Sequence, residues 1–257
     1  MNREELKTIA KRTGWLVAVF LGAALVISAV ESKKSSHISE LDIVVKPLED
    51  GSLMVKPEDI RNSINRSFGF ALEGLALKDL EVDRLEKVLE KDPLILNADA
   101  YVDARSVLHI KVYQRQPVLR VIDQNGLNYY LDKDGFKMPL SRHFSVRVLV
   151  ASGYIPPHVP DFLERKRHRV KDVFLLAKEL MDDPFLYAMV EQIYVANSGE
   201  IVLTPMVGDQ KILFGPYRDS AEKLRKLRIF YKEVIPYKGW RKYDAIDLRY
   251  RGQVVGR

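Results

Sequence analysis

The sequence predicts an α+β protein: one N-terminal apolar helix able to span a membrane, followed by two small units that mix helices with short strands. Three observations predict it. Residues 14–30 carry no charge at all. Beyond them, runs of period-two alternation are punctuated by Asn-Gly, Asp-Gly and Ser-Gly turns. Among these strands lie amphipathic stretches with helix-start chemistry, opening near Pro57, Asp83, Val170 and Asp219.

The first element is the stretch Gly14–Val30, GWLVAVFLGAALVISAV. At 1.5 Å per residue it reaches roughly 25 Å, a little short of the hydrocarbon layer, and snorkelling Lys11, Arg12 and Lys33 extend it. Trp15 sits at one end, where an indole belongs at the interface, and Leu16, Phe20, Leu25 and Ile27 supply the lipid-facing bulk. Arg3, Lys7, Lys11 and Arg12 precede it, which places a cytoplasmic tail at residues 1–13 and everything after about residue 31 outside. An uncleaved anchor is favoured over a signal peptide. The apolar core is long for a signal, and Ser28-Ala29-Val30-Glu31 is a poor cleavage site. Residues 31–37 then read as a polar linker.

A first external unit is expected over residues 38–116. Leu41, Ile43 and Val45 alternate as a strand does. Pro57 suits the first helical position, acidic Glu58 and Asp59 follow it, and Ile60, Ile64 and Phe68 make a buried stripe. A second helix opens at Asp83, with Glu86 three residues on as a capping box, and stops at Pro93. Strands Ile95–Asp103 and Val107–Tyr113 close a hairpin. The order is strand, helix, helix, strand, strand.

The second unit, residues 117–257, reads as a β domain with an antiparallel sheet and flanking helices. Its strands are Val118–Ile122, Leu127–Leu131, Phe136–Met138, Val146–Ala151, Tyr187–Ala196, Glu200–Met206 and Lys211–Phe214. Asn125-Gly126 and Asp134-Gly135 suggest type I′ turns. One helix covers Val170–Met181. Another starts at Asp219 with Glu222 three residues on, carries an apolar stripe of Ala221, Leu224, Leu227, Phe230, Tyr231 and Val234, and is stopped by Pro236 and Gly239. The tail Tyr243–Arg257 alternates like a final strand. It is either a sheet closure or an open edge that a partner can extend.

Composition narrows the chemistry. With no cysteine, the chain has no disulfide framework, thiolate metal site or cysteine nucleophile. Net charge is +6, but residues 208–257 hold 13 Lys and Arg against 6 Asp and Glu, so this end alone carries the excess. That basic end suits a solvated helix face or an acidic partner. The five histidines have no metal-ligand spacing, and His109 is expected to face solvent in mid-strand. The run Arg165-Lys166-Arg167-His168-Arg169 is a charged loop or a headgroup contact. No serine sits in a nucleophile elbow, and no Gly-rich phosphate loop is present. Neither an enzyme nor a cofactor is indicated, nor a nucleic-acid or small-molecule ligand.

Three stretches carry a family resemblance. They are Val112-Tyr113-Gln114-Arg115-Gln116-Pro117-Val118, then Ile212-Leu213-Phe214-Gly215 with Lys223-Leu224 and Leu227, and finally Tyr243-Asp244-Ala245-Ile246-Asp247-Leu248-Arg249-Tyr250. Together with the anchor and the element order, the chain resembles the FtsQ/DivIB cell-division proteins. Gln114 departs from the glutamate common there. The resemblance implies a POTRA domain at 38–116, a β domain at 117–257, and a non-enzymatic scaffold at the division septum. It implies FtsB-like and FtsL-like bitopic partners, with the FtsW/FtsI synthase pair reached indirectly. It also implies a terminal strand that receives a partner strand. Tyr243, Ile246, Leu248, Arg249, Tyr250, Gly252, Gln253 and Val255 are the expected contacts. A POTRA-bearing assembly factor of another envelope system is the alternative.

Overall fold

A computed structural model describes residues 14, 15, 17, 19–24 and 36–257. The described residues within 14–24 are helical, with Trp15 and Phe20 exposed. No helix among the described residues is long and apolar enough to cross a membrane. Most of the expected anchor, including Leu16, Leu25 and Ile27, lies outside the described residues, as does nearly all of the polar linker. The chain forms two compact units, one from residues up to 46 and 56–113, the other from 47–55 and 114–257.

The first unit has the expected element order. Strand β1 (Glu40–Lys46) leads to helix α1 (Pro57–Phe68), a 3₁₀ turn (Leu77–Asp79), helix α2 (Val82–Leu89), and the hairpin β2 (Ile95–Val102) and β3 (Val107–Gln114). The central strand is β3, flanked by β1 and β2. Strand β1 runs parallel to it from Glu40↔Val107 to Lys46↔Tyr113. Helix period places Ile60 and Ile64 of α1, and Leu85 and Leu89 of α2, in the core with Leu108, Ile110 and Val112. Each such side chain contributes about 1.5–3 kcal/mol by leaving water. Pro57 begins α1 as expected, and the Asp59 carboxylate accepts the Lys56 N–H at 3.0 Å.

The box at Asp83 does not form. Glu81 is the N-cap without a side-chain bond, and Glu86 instead accepts the Ala100 N–H at 2.7 Å. A strand donor outcompetes the helix's own end here. His109 is also not simply solvent-facing. Its ring stacks on Tyr101, bonds Asp42 at 2.8 Å, and lies 3.4 Å from Asp103.

The second unit is built on a nine-stranded sheet. Its strands are β4 (Pro117–Ile122), β5 (Asn128–Asp132), β6 (Lys137–Met138), β7 (Leu149–Gly153), β8 (Val190–Val195), β9 (Ile201–Pro205), β10 (Lys211–Gly215), β11 (Ala245–Asp247) and β12 (Val255–Gly256). The spatial order is β12-β11-β10-β9-β8-β7-β4-β5-β6. The expected all-antiparallel sheet is corrected to a mixed one, with parallel pairs β4–β7, β7–β8 and β10–β11. The cause is connectivity. Helices α3 (Arg169–Met181) and α4 (Pro184–Met189) bridge β7 to β8, and a helical segment bridges β10 to β11. Crossovers of that length return a strand parallel.

Helix α4 occupies the start of the expected strand at Tyr187. Pro184 sits in its first turn, and Asp183 caps it by accepting the Phe185 and Leu186 N–H groups. The Gly126 and Gly135 turns also differ from type I′, because only the glycines have positive φ. Asp123 and Asp132 instead accept the N–H groups two and four residues on.

Helix α5 (Ser220–Ile229) continues through a π-helical turn, Phe230–Val234, into α6 (Ile235–Lys238). Pro236 therefore does not stop the helix. Proline lacks an N–H, and the ring crowds the preceding turn. The wider turn, in which the Ile235 N–H reaches the Phe230 carbonyl, precedes the proline and lets one more helical turn form before Gly239 ends it at φ 91°. The core joins Val173, Leu176, Ala177 and Leu180 of α3 and Leu224 and Leu227 of α5 to Leu119, Ile193, Leu203, Ile212 and Ile246 of the sheet.

Gln114 and Arg115 organise the start of this unit. Gln114 is buried, and its Oε1 accepts the N–H groups of Met54 and Val55 at 2.6 and 3.0 Å. Its Nε2 donates to the Ser52 carbonyl at 3.4 Å, which a glutamate would not do. Arg115 pairs with buried Asp132 at 2.8 Å and lies over the Phe136 ring.

Candidate partner-binding edge

The sheet's terminal edge is assembled from residues 243–257. The expected continuous strand is instead a tight reversal. Only Ala245–Asp247 and Val255–Gly256 are extended, and Gly252, at φ 74°, turns the chain between them. The isolated Gly252 within the alternating tail is the sequence signal for such a break. Strand β11 pairs on both sides, parallel to β10 through Ile212↔Ile246 and antiparallel to β12 through Ile246↔Gly256. Its edge is therefore occupied by the chain itself.

The open edge belongs to β12. Arg257 and Ala245 exchange backbone hydrogen bonds of 2.9 and 3.2 Å. In an antiparallel ladder the next residue pair makes no such exchange. Gly256, opposite Ile246, therefore directs its N–H and C=O away from β11, outside the sheet.

Side chains hold this geometry. The Tyr243 ring lies 2.5 Å from where a Cβ on Gly256 would stand, so only glycine lets the ring close over β12. Tyr243 in turn packs on Phe230 with centroids 5.6 Å apart. On helix α5, Lys226 donates to the carbonyls of Tyr250 and Gln253 at 2.7 and 3.3 Å, pinning the reversal. Glu222, expected to cap its own helix, accepts the Gly252 N–H at 3.2 Å. The helix starts at Asp219 in a left-handed conformation without a side-chain cap. Lys223 is buried too, donating to the Pro216 carbonyl at 2.8 Å over the Phe214 ring.

An ionic cluster lies at the same edge. The fully buried Asp247 carboxylate accepts Arg249 through Nε at 2.9 Å and Nη2 at 2.8 Å, and Arg257 through Nη2 at 3.1 Å. Arg249 also reaches Glu200 at 3.4 Å. The hydrogen bonds from Arg249 hold Asp247 below the usual carboxylate range, and those from Asp247 push Arg249 up. Gly215, at φ 76°, makes room, since a Cβ there would stand 2.8 Å from Arg249 Cγ.

Of the residues the sequence singled out, Ile246 and Leu248 are fully buried and serve the core. Tyr243 is half-buried beneath the edge, and Val255 is half-buried in it. Arg249, Tyr250, Gly252 and Gln253 are exposed around the reversal. Gly256, Arg257 and Lys226 were not singled out, Asp247 was read only as part of the terminal stretch, and Glu222 only as a helix cap. Their roles come from contacts distant in sequence.

Among the described residues no group of three or more His, Asp or Glu is placed to hold a metal ion. Ser141 donates to the Met54 carbonyl and accepts the His143 N–H, so that pair is a turn.

Residues 116–257, which contain the whole edge, match the family model described as FtsQ/DivIB, C-terminal related. The chain belongs to this family. It is also similar to the cell division protein FtsQ of Rhodothermus marinus (strain ATCC 43812 / DSM 4252 / R-10), at 29% identity over 189 residues. That match covers 72% of this chain and 68% of the relative. The family's match begins two residues after Gln114, so the sheet, the helices on it and the ionic cluster all fall within it.

Proposed function

We propose that this chain is a non-enzymatic scaffold of the cell-division machinery that receives an extended segment of a partner on the outer edge of β12. The observation that carries the reading is Gly256, whose outward N–H and C=O offer main-chain bonds to an added strand. Around it, exposed Tyr250 and half-buried Val255 and Tyr243 give side-chain selectivity.

By family resemblance the partner strand comes from an FtsB-like protein, acting with an FtsL-like one. The complex would recruit and regulate septal peptidoglycan synthesis by an FtsW/FtsI pair. The uncharged stretch 14–30 supports a single membrane anchor with the N-terminus cytoplasmic and both units outside. The strand-helix-helix-strand-strand order of the first unit supports a POTRA-like module.

The test is partner recovery from membranes with Gly256→Pro and Gly256→Ala. Both add a Cβ against Tyr243, but only proline removes the outward donor. Alanine reports the displacement of Tyr243 alone, and proline should recover severalfold less partner than alanine does. Equal recovery with both variants, at equal folded content, would sink the edge reading.

A further inference from the structure

We propose that the exposed segment 237–242, the end of α6 and the loop that leads to β11, binds anionic phospholipid headgroups. None of its residues contributes to the β12 ladder. Tyr237 is 84% and Trp240 44% exposed, and Lys238, Arg241 and Lys242 are all exposed between and beside them. The Trp240 ring rests on Tyr231, which is itself buried and bonded to Gln210 at 2.9 Å, so the indole is presented from a fixed base.

Five of the thirteen cations at the C-terminal end are committed elsewhere. Arg228 pairs with Asp183, Arg249 and Arg257 with Asp247, and Lys226 with Glu222 and two carbonyls. Lys223 is buried. Among the described residues, Lys238, Arg241 and Lys242 make no ion pair, with Glu233 and Asp244 the nearest carboxylates in sequence.

The shape selects among anionic ligands. A peptide needs an edge or a groove for its main chain. This segment instead turns at Gly239, with φ 91° and the Lys242 N–H reaching the Gly239 carbonyl at 3.3 Å, and it leaves Tyr237 well exposed and one side of Trp240 open to solvent above Tyr231. Exposed aromatics interleaved with cations suit a bilayer surface. Rings settle at the glycerol level while ammonium and guanidinium groups meet phosphates. Each cation strengthens such binding about fivefold.

The experiment uses the full chain carrying Trp15→Phe, which leaves Trp240 as its remaining tryptophan, in nanodiscs of brominated phosphatidylcholine with or without phosphatidylglycerol. With phosphatidylglycerol, Trp240 emission should shift to the blue and be quenched severalfold. High salt should reverse this, and so should the combined Lys238→Glu, Arg241→Glu and Lys242→Glu variant. Partner recovery through β12 should be unchanged in that variant. Insertion of the chain into discs reports the anchor separately, so failure of that reading is distinguishable; discs are then added to the soluble chain. No quenching, or equal quenching without phosphatidylglycerol, overturns the proposal. So does a Trp240 response to a soluble poly-glutamate peptide in the absence of one to lipid, which would point to an acidic protein.

Discussion

Arg249 grips Asp247 two residues earlier with both Nε and Nη2, at 2.9 and 2.8 Å, and Asp247 is wholly buried. A local pair therefore fixes the end of β11, and Arg257 of the returning segment bonds the same carboxylate. Asp247→Asn removes the charge and leaves two arginines facing an amide. Breaking a buried pair costs several kcal/mol, but both guanidinium groups are partly solvated here, so the expected loss is about 1–3 kcal/mol. A lower urea midpoint with an unchanged slope would register it. Because pairing holds the Asp247 pKa below its usual value, this contribution is present above the ordinary carboxylate range and is lost as pH falls through the lowered pKa.

Lys226→Met keeps the apolar stem but removes the donor to the Tyr250 and Gln253 carbonyls. Two charge-assisted bonds are lost, worth about 1–3 kcal/mol together. Amide exchange over 250–257 should accelerate, and partner binding should weaken. Unchanged exchange there would mean that Lys226 does not hold the reversal.

The two units should respond to pH in opposite senses. In the first, hydrogen bonds to Asp42 and then Asp103 raise the His109 pKa. That contribution is complete below about 6.5 and is lost as pH rises through the raised value. In the second, burial lowers both His158 and His168, which flank the buried Phe162 ring at 5.3 and 6.3 Å. Lys137 and Arg165 lower them further. His158 Nε2 and His168 Nδ1 are buried without a partner, so a proton there gains no acceptor. Their contribution is complete above about 6.5 and is lost as pH falls toward the lowered values. Hydrogen exchange at pH 5.5 against 7.5, with strands 40–46 and 107–113 compared with residues 154–169, reads both signs at once.

Arg251 is exposed beside the reversal and is the cleaner probe of electrostatic steering, since Arg249 is committed to Asp247. Arg251→Glu should slow association with an acidic partner severalfold at low ionic strength and little at high salt, with stability nearly unchanged. An equal effect at both salts would point to a steric cause.

The architecture was legible where local chemistry and tertiary packing agree. Alternation at Leu41, Ile43 and Val45, the Pro57 helix start, and the stripe through Leu224 and Leu227 all have their observed counterparts. What misled was local chemistry with a distant competitor. Glu86 and Glu222 read as capping residues, yet each serves an amide from another element. The parallel strand pairs were hidden because direction depends on the crossover rather than on the strand's own residues. At the candidate edge, the location was readable from the alternating tail. The partition between core residues Ile246 and Leu248 and the outward Gly256 was not, because it depends on where the chain turns back.

The π turn at Phe230–Val234 also sets the phase of everything after it. In an uninterrupted α-helix, a stripe through Phe230 and Val234 would next meet Tyr237, seven residues after Phe230. The one extra residue advances the following side chains by about 100° around the axis. Ile235 becomes the buried residue and Tyr237 is swung into solvent. Because the π turn holds one residue more than the α turn it replaces, a single-residue deletion within 230–234 would restore a regular α turn and leave Ile235 buried and Tyr237 exposed. The helix can thus shed that one residue without disturbing the aromatic surface, whereas the same loss from the regular turns of α5 would rotate it by about 100°.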